Sequence, residues 1–132
     1  MKGYIIYNTE DLTKNKRFIK FITETLNEYN IDVELVIIDR VELAELENPD
    51  FVINRSRNAD VSRYFEGKNI RVFNSGKITE IANDKRKSYE YLEGIVPFMP
   101  LMSEEEAESS GKPYIIKSCN GHGGTQVFMV EN

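Results

Sequence analysis

The residues best suited to chemistry gather in one stretch, Lys112 to Val130, read as KPYIIKSCNGHGGTQVFMV. Gly121, Gly123 and Gly124 fall within four residues, and each glycine in an ordered segment costs roughly 0.5–1 kcal/mol relative to alanine. Bare backbone N–H groups that must approach a phosphate closely would account for that cost. An ordinary hairpin loop would also account for it, because glycine supplies positive φ. The seven residues Cys119–Thr125 exceed the usual hairpin connection, which leans toward a functional loop. Two apolar runs, Tyr114–Ile116 and Val127–Val130, flank the loop. Strand alternation puts Lys117 on the opposite face from Ile116, so a cation closes the first strand beside the loop. A second lysine, Lys85, stands 32 residues earlier at the start of an expected helix. Two lysines and a loop of N–H groups are a set that can surround one polyphosphate.

Two familiar phosphate patterns are excluded. No Gly-Lys-Ser/Thr follows at the spacing of a Walker A motif. Gly121-x-Gly123 lacks a third glycine and precedes a strand, unlike the dinucleotide fingerprint. His122 is the sole histidine, which excludes a histidine-rich metal site; it either covers a phosphate from the loop tip or is an exposed loop residue without a role. Cys119, the sole cysteine, has no expected base near it and reads as no nucleophile. It excludes an intrachain disulfide and fits a reducing cytoplasm. The Glu104–Glu108 run reads as a solvated helix face. Arg55 and Arg57 follow an apolar strand, and open parallel sheets bind ligands at the carboxyl ends of their strands. Arg57 and Arg63 are further candidates for an anionic substrate, with Arg55 favoured over both. Asn8 and Thr9, after the first strand, join them by fold analogy alone.

The elements that must position these residues follow from the apolar pattern. At 132 residues, 40% of them hydrophobic, with seven Phe and seven Tyr, the chain can bury a sizeable core. Its net charge of −5 argues against a nucleic-acid or membrane-surface binder. No stretch approaches the roughly 20 apolar residues of a membrane span, and the charged start reads as no signal peptide. Strands are expected at Gly3–Tyr7, Val33–Ile38, Phe51–Ile53 and Ile70–Phe73. A helix from about Asn15 to Tyr29 carries Phe18, Ile19, Ile22, Leu26 and Tyr29 at helical spacing, with Asp11 or Thr13 as cap. Val41–Leu46 reads as a short helix or a loop. Ala59–Glu66 reads as a helix with Val61, Tyr64 and Phe65 inward and Gly67 as its stop. Strands alternating with helices predict βαβ units and a parallel sheet covered on both faces. Residues 1 to about 75 are therefore expected to form a small doubly wound α/β domain.

The pattern changes near Ser75-Gly76. Ile78–Ala82 is expected as an extended segment or a helical turn. Asp84 is expected to cap a helix to about Leu92, and Ser103 to cap Glu104–Ser109. Lys85, Arg86 and Lys87 in a first turn oppose the helix dipole by a few tenths of a kcal/mol. A bound anion would remove that conflict, and solvation would tolerate it.

In order and spacing, several pieces resemble the RimK-like branch of the ATP-grasp ligases. They are Phe51–Arg55, Ile70–Asn74, Asn83-Asp84-Lys85, Leu92, the Ile95–Pro100 segment, Pro113–Lys117 and Gly123–Val127. The resemblance implies a small preceding α/β domain over 1–82 and the first part of an α+β ATP-grasp domain over 83–132. It implies that Lys85 and Lys117 contact nucleotide phosphates. It also implies that Gly121, His122, Gly123 and Gly124 form a loop closing over the β- and γ-phosphates. The resemblance also implies that Arg55 faces the substrate side; Arg57 is kept as a substrate candidate by its position beside it. Gln126 departs from the family, many of whose members carry glycine there. ATP and Mg²⁺ are the implied cofactors; the implied partners are a nucleotide, a small carboxylate activated as an acylphosphate, and an attacking amine. After Lys117 the only acidic residue is Glu131, so the metal ligands are expected outside this chain. On this reading it is the amino-terminal portion of a cytoplasmic ligase, inactive alone and with no catalytic residue of its own. Two other readings stand beside it: a non-catalytic nucleotide or small-ligand module, and a homo-oligomer that buries the strand ending at Val130.

Overall fold

From Gly3 onward, every residue of strand β1 (Lys2–Tyr7) is buried. A strand buried on both faces needs cover on both sides, and the chain supplies it. In the computed structural model, which describes residues 1–121, 124 and 126–131, β1 pairs with β2 (Asp32–Ile37) and with β3 (Phe51–Asn54). β3 also pairs with β4 (Arg71–Phe73), and the order β2-β1-β3-β4 is parallel throughout. Alternation along β1 sorts its side chains. Tyr4 and Ile6, with Val36 and Val52, pack against Val61 and Phe65 of helix α2 (Ala59–Glu66). Ile5 and Tyr7, with Val33, pack against Leu12, Ile19, Ile22 and Leu26 of helix α1 (Thr9–Glu28). One helix on each face is the doubly wound α/β arrangement expected from sequence. The chain divides into two compact units, Met1–Glu80 and Ile81–Asn132.

Several local expectations are corrected. Helix α1 starts at Thr9 with Asn8 at its N-cap, earlier than Asn15 and without a cap from Asp11 or Thr13. Phe18 lies one residue off the inward stripe and is 41% exposed, whereas Tyr29 is 72% exposed at the helix end. Beyond it Asn30 takes φ +58, and Ile31 N–H returns to the Leu26 carbonyl at 3.0 Å. The end of α2 repeats this device: Asn69 sits at φ +59 while Ile70 N–H reaches the Phe65 carbonyl at 3.0 Å. Asparagine tolerates the left-handed region better than most residues. Gly67 is the C-cap of α2, as expected, but it stays right-handed at φ −63, and the reversal is made at Asn69. Between β2 and β3 the chain makes two 3₁₀ turns, Ile38–Arg40 and Leu43–Glu45. Gly76–Ala82 is a helix, α3.

The second unit holds α4 (Lys85–Leu92), α5 (Glu104–Ser109) and an antiparallel pair, β5 (Tyr114–Lys117) with β6 (Val127–Val130). Asp84 caps α4 by accepting from the N–H groups of Arg86 at 2.8 Å and Lys87 at 3.3 Å. Ser103 and Glu106 form a reciprocal capping box on α5. Among the described residues, no helix is long and apolar enough to cross a membrane.

Candidate functional site

In a parallel sheet of this order, β1 and β3 lead their connections in opposite directions, which opens a crevice at their carboxyl ends. The loop leaving β3 is fixed there by one buried amide. Asn54 is 4% exposed. Its Oδ1 accepts from the Ser56 N–H at 3.0 Å and Oγ at 2.7 Å. Its Nδ2 donates to the Asn58 carbonyl at 2.9 Å and to Ser62 Oγ at 2.8 Å. Ser62 Oγ in turn donates to the Asn74 carbonyl at 2.9 Å. A fully satisfied network of this kind specifies one loop conformation.

That loop presents Arg55 and Arg57 in different states. The Arg55 N–H continues the ladder by donating to the Ile6 carbonyl at 2.8 Å, while its side chain is exposed. Its Nε donates to Tyr7 Oη at 3.4 Å, and its guanidinium carbon lies 5.3 Å from the Phe18 ring centroid. Arg57, at φ +63, donates from Nη2 to Asp11 Oδ2 at 2.5 Å. The two candidates thus part ways: Arg57 is committed to an ion pair, and Arg55 has no carboxylate partner among the described residues. Arg63 donates to Asp60 at 3.0 Å and to Glu80, and these hydrogen bonds, Glu80 first, push its pKa up.

Asn8 and Thr9 serve the scaffold. Asn8 Nδ2 donates to the Ser56 carbonyl at 2.9 Å, tying the loop after β1 to the loop after β3. The Thr9 N–H donates to Asp39 Oδ2 at 2.7 Å. A carboxylate from the end of β2 therefore already occupies the start of α1, where a doubly wound dinucleotide site would hold phosphate. Tyr7, Phe18, Asp39 and Asn54 carried no recognisable signal of these roles; only the position of Asn54 at a strand end hinted at one.

In the second unit Lys85 is joined to the glycine loop twice. Its N–H donates to the Cys119 carbonyl at 2.9 Å, and its ammonium Nζ donates to the Gly121 carbonyl at 2.5 Å. Lys117 ends β5 opposite Val127, exposed, two residues before Cys119. His122 and Gly123 lie outside the described residues. Gly121 and Gly124 have conformational reasons of their own. A Cβ on Gly121 would come within 2.7 Å of Gln126 Oε1 and 3.2 Å of Ser118 Cβ. Gly124 takes φ +74 with open space around the position of a Cβ. The departure at Gln126 thus has a local counterpart, because its side chain lies against Gly121, where an added Cβ would require it to shift. A surface groove in this unit, lined by Tyr89, Glu90, Glu93, Phe98, Pro100 and Leu101, includes none of these residues. Among the described residues, no group of three or more His, Cys, Asp or Glu could hold a metal ion.

Comparisons with known proteins agree with this geometry at the level of the fold and one domain. Residues 82–132 match the family model described as the ATP-grasp domain. An uncharacterized protein of Mycoplasma genitalium is 27% identical over 138 aligned residues, covering 99% of this chain and 47% of that protein. Its homologue in Mycoplasma pneumoniae is 25% identical over 136, with the same coverage of both chains. The chain thus spans about half the length of the curated relatives it matches. The crystal structure of D-alanine–D-alanine ligase from Bacillus anthracis superposes with a TM-score of 0.73 at 17% identity. That match covers the whole of this chain and half of the ligase. The family match is confined to residues 82–132, the shared fold extends over the whole chain, and neither selects a RimK-like branch.

Proposed function

We propose that this chain is the amino-terminal portion of an ATP-dependent carboxylate–amine ligase, or a related carboxylate–nucleophile ligase, of RimK-like type. In this reading, residues 1–82 form the preceding domain and residues 83–132 the first part of the ATP-grasp domain. The observation that carries it is the double tie of Lys85 to the glycine loop. An ammonium 2.5 Å from a loop carbonyl is a charge already delivered to the loop, and a phosphate oxygen is a stronger partner for it than a neutral carbonyl. The charges of Lys85 and Lys117 beside a glycine-rich loop fit the negative charge of a triphosphate; the expected contacts from His122 and Gly123 lie outside the described residues. Metal ligands and the remaining walls would come from elsewhere in a complete protein, where Mg-ATP would convert the acid to an acylphosphate for attack by an amine. In this chain Lys85 and Lys117 would bind and orient phosphates, and Arg55 would orient the acid. Arg57, held by Asp11, is assigned to the loop's structure.

Titration with ATP, followed by calorimetry and amide NMR, tests the reading. Binding is expected in the millimolar range, centred on Lys85, Lys117 and Gly121 resonances and lost in the Lys85→Gln, Lys117→Gln double variant. A folded chain whose spectrum ignores ATP would sink it. One observation favours a second reading as a self-associating module. Ile115, Ile116, Val127, Phe128 and Met129 leave both faces of the β5–β6 pair exposed. Light scattering that shows a monomer at high concentration rejects that alternative.

A further inference from the structure

We propose that Tyr7 and Phe18 are positioning residues that aim Arg55 at a small monocarboxylate, received end-on by its two terminal nitrogens. The proposal rests on the assignment of Arg55 to the acid substrate, and it specifies how that acid is held. A guanidinium can receive a carboxylate through either of two edges, the Nε–Nη edge or the Nη–Nη fork. Here the first edge is engaged, because Nε donates to the hydroxyl of Tyr7, a residue 1% exposed at the end of β1. The cation also stands over the ring of Phe18, 5.3 Å from its centroid, an arrangement that attracts the charge and limits its rotation. The fork is the edge left for a ligand.

Position and charge agree with this use. Arg55 is exposed at the carboxyl end of β3, beside β1, where the strand order opens the crevice. The neighbouring charges are spoken for: Arg57 is paired with Asp11, and Asp39 accepts from the start of α1. A single uncommitted guanidinium selects one negative charge, so a carboxylate is favoured over dianionic phosphate. Phe18, beside the inward stripe of α1 and partly exposed, turns its ring to the cation rather than into the core.

The test follows the arginine side-chain NMR signals of the chain. Sodium acetate, inorganic phosphate and ATP are added in separate titrations at constant ionic strength. Acetate is expected to shift the Arg55 Nη signals saturably and the Nε signal much less. Arg55→Lys, read at the backbone amides of 55 and 56, should abolish the saturable acetate response, because an ammonium has no fork. Phe18→Leu should weaken acetate binding about threefold or more by loss of the cation–aromatic contact, Phe18→Tyr should restore it, and Tyr7→Phe should move the acetate response onto Nε. Phe18 is exposed enough that its variants keep the fold even if the Tyr7 variant does not. Tighter binding of phosphate than acetate, a wild-type response centred on Nε, or unchanged affinity in Phe18→Leu would each overturn the proposal. The ATP arm is read at Lys85 and Lys117, so the nucleotide reading and the acid clamp can fail independently.

Discussion

The two units of this chain are built on opposite balances of burial and exposure. In Met1–Glu80, residues such as Ile5, Ile6, Val52 and Phe65 are wholly inaccessible to solvent. In Ile81–Asn132, the one buried hydrophobic among the described residues is Ala107, while Ile95, Met99, Leu101, Phe128 and Met129 are each at least 60% exposed. A sheet clad by helices on both faces supplies its own hydrophobic stabilisation, whereas a two-stranded pair open on both faces is marginal in water. The lesson is a difference of support: the first unit carries its own core beneath Arg55, whereas the second leaves its strand pair open on both faces.

That contrast can be broken or sharpened by substitution. The largest effect is expected from Phe65→Ala, which empties a fully buried aromatic site and should cost about 3–5 kcal/mol in urea unfolding. The matching change in the second unit, Phe128→Ala, should stay within about 0.5 kcal/mol; equal effects would erase the distinction. Next, Asn54→Ala removes the shared partner of Ser56 and Ser62 and should cost about 1–3 kcal/mol, with loss of dispersion in the Arg55 side-chain signals. Asp84→Ala deletes the cap of α4 and should cost about 1 kcal/mol, read as lower helicity and faster amide exchange at Arg86 and Lys87. The smallest effect concerns pH. The Glu106 carboxylate accepts from the Ser103 N–H at 2.8 Å, and this bond first, with the neighbouring Ser103 side chain second, holds its pKa below the ordinary glutamate value. A carboxyl with a depressed folded-state pKa stabilises above its unfolded value and loses that contribution as pH falls through the folded one. Acid titration by NMR should therefore fray α5, and Glu106→Gln should remove the pH dependence.

Much of the first unit was legible because its cause is periodic. Tyr4-Ile5-Ile6-Tyr7 and Val61 with Phe65 announce a buried strand and an inward helix face, and both were found. What was not legible depends on partners distant in the chain. The early start of α1 is tied to Asp39, 30 residues from Thr9. Arg55 and Arg57 are the same residue type two positions apart, yet their fates diverge through Asp11, 46 residues from Arg57. In the second unit the spacing of Lys85 and the loop pointed to one place, and the structure ties them together. The glycine pattern was less specific than its density suggested, since Gly121 also has the Gln126 side chain packed close against it. Local pattern encodes elements; it does not encode which of two arginines a remote aspartate will claim.

The Asn54 network also bears on how this fold could change over time. The loop of residues 54–58 hangs from a buried amide and two serine hydroxyls, whose hydrogen bonds join one another and the main chain at 56, 58 and 74. These bonds do not use the Arg55 side chain. A lineage could exchange the residue at 55 while the socket that holds it stays intact, so a new side chain there would not first require a destabilised protein.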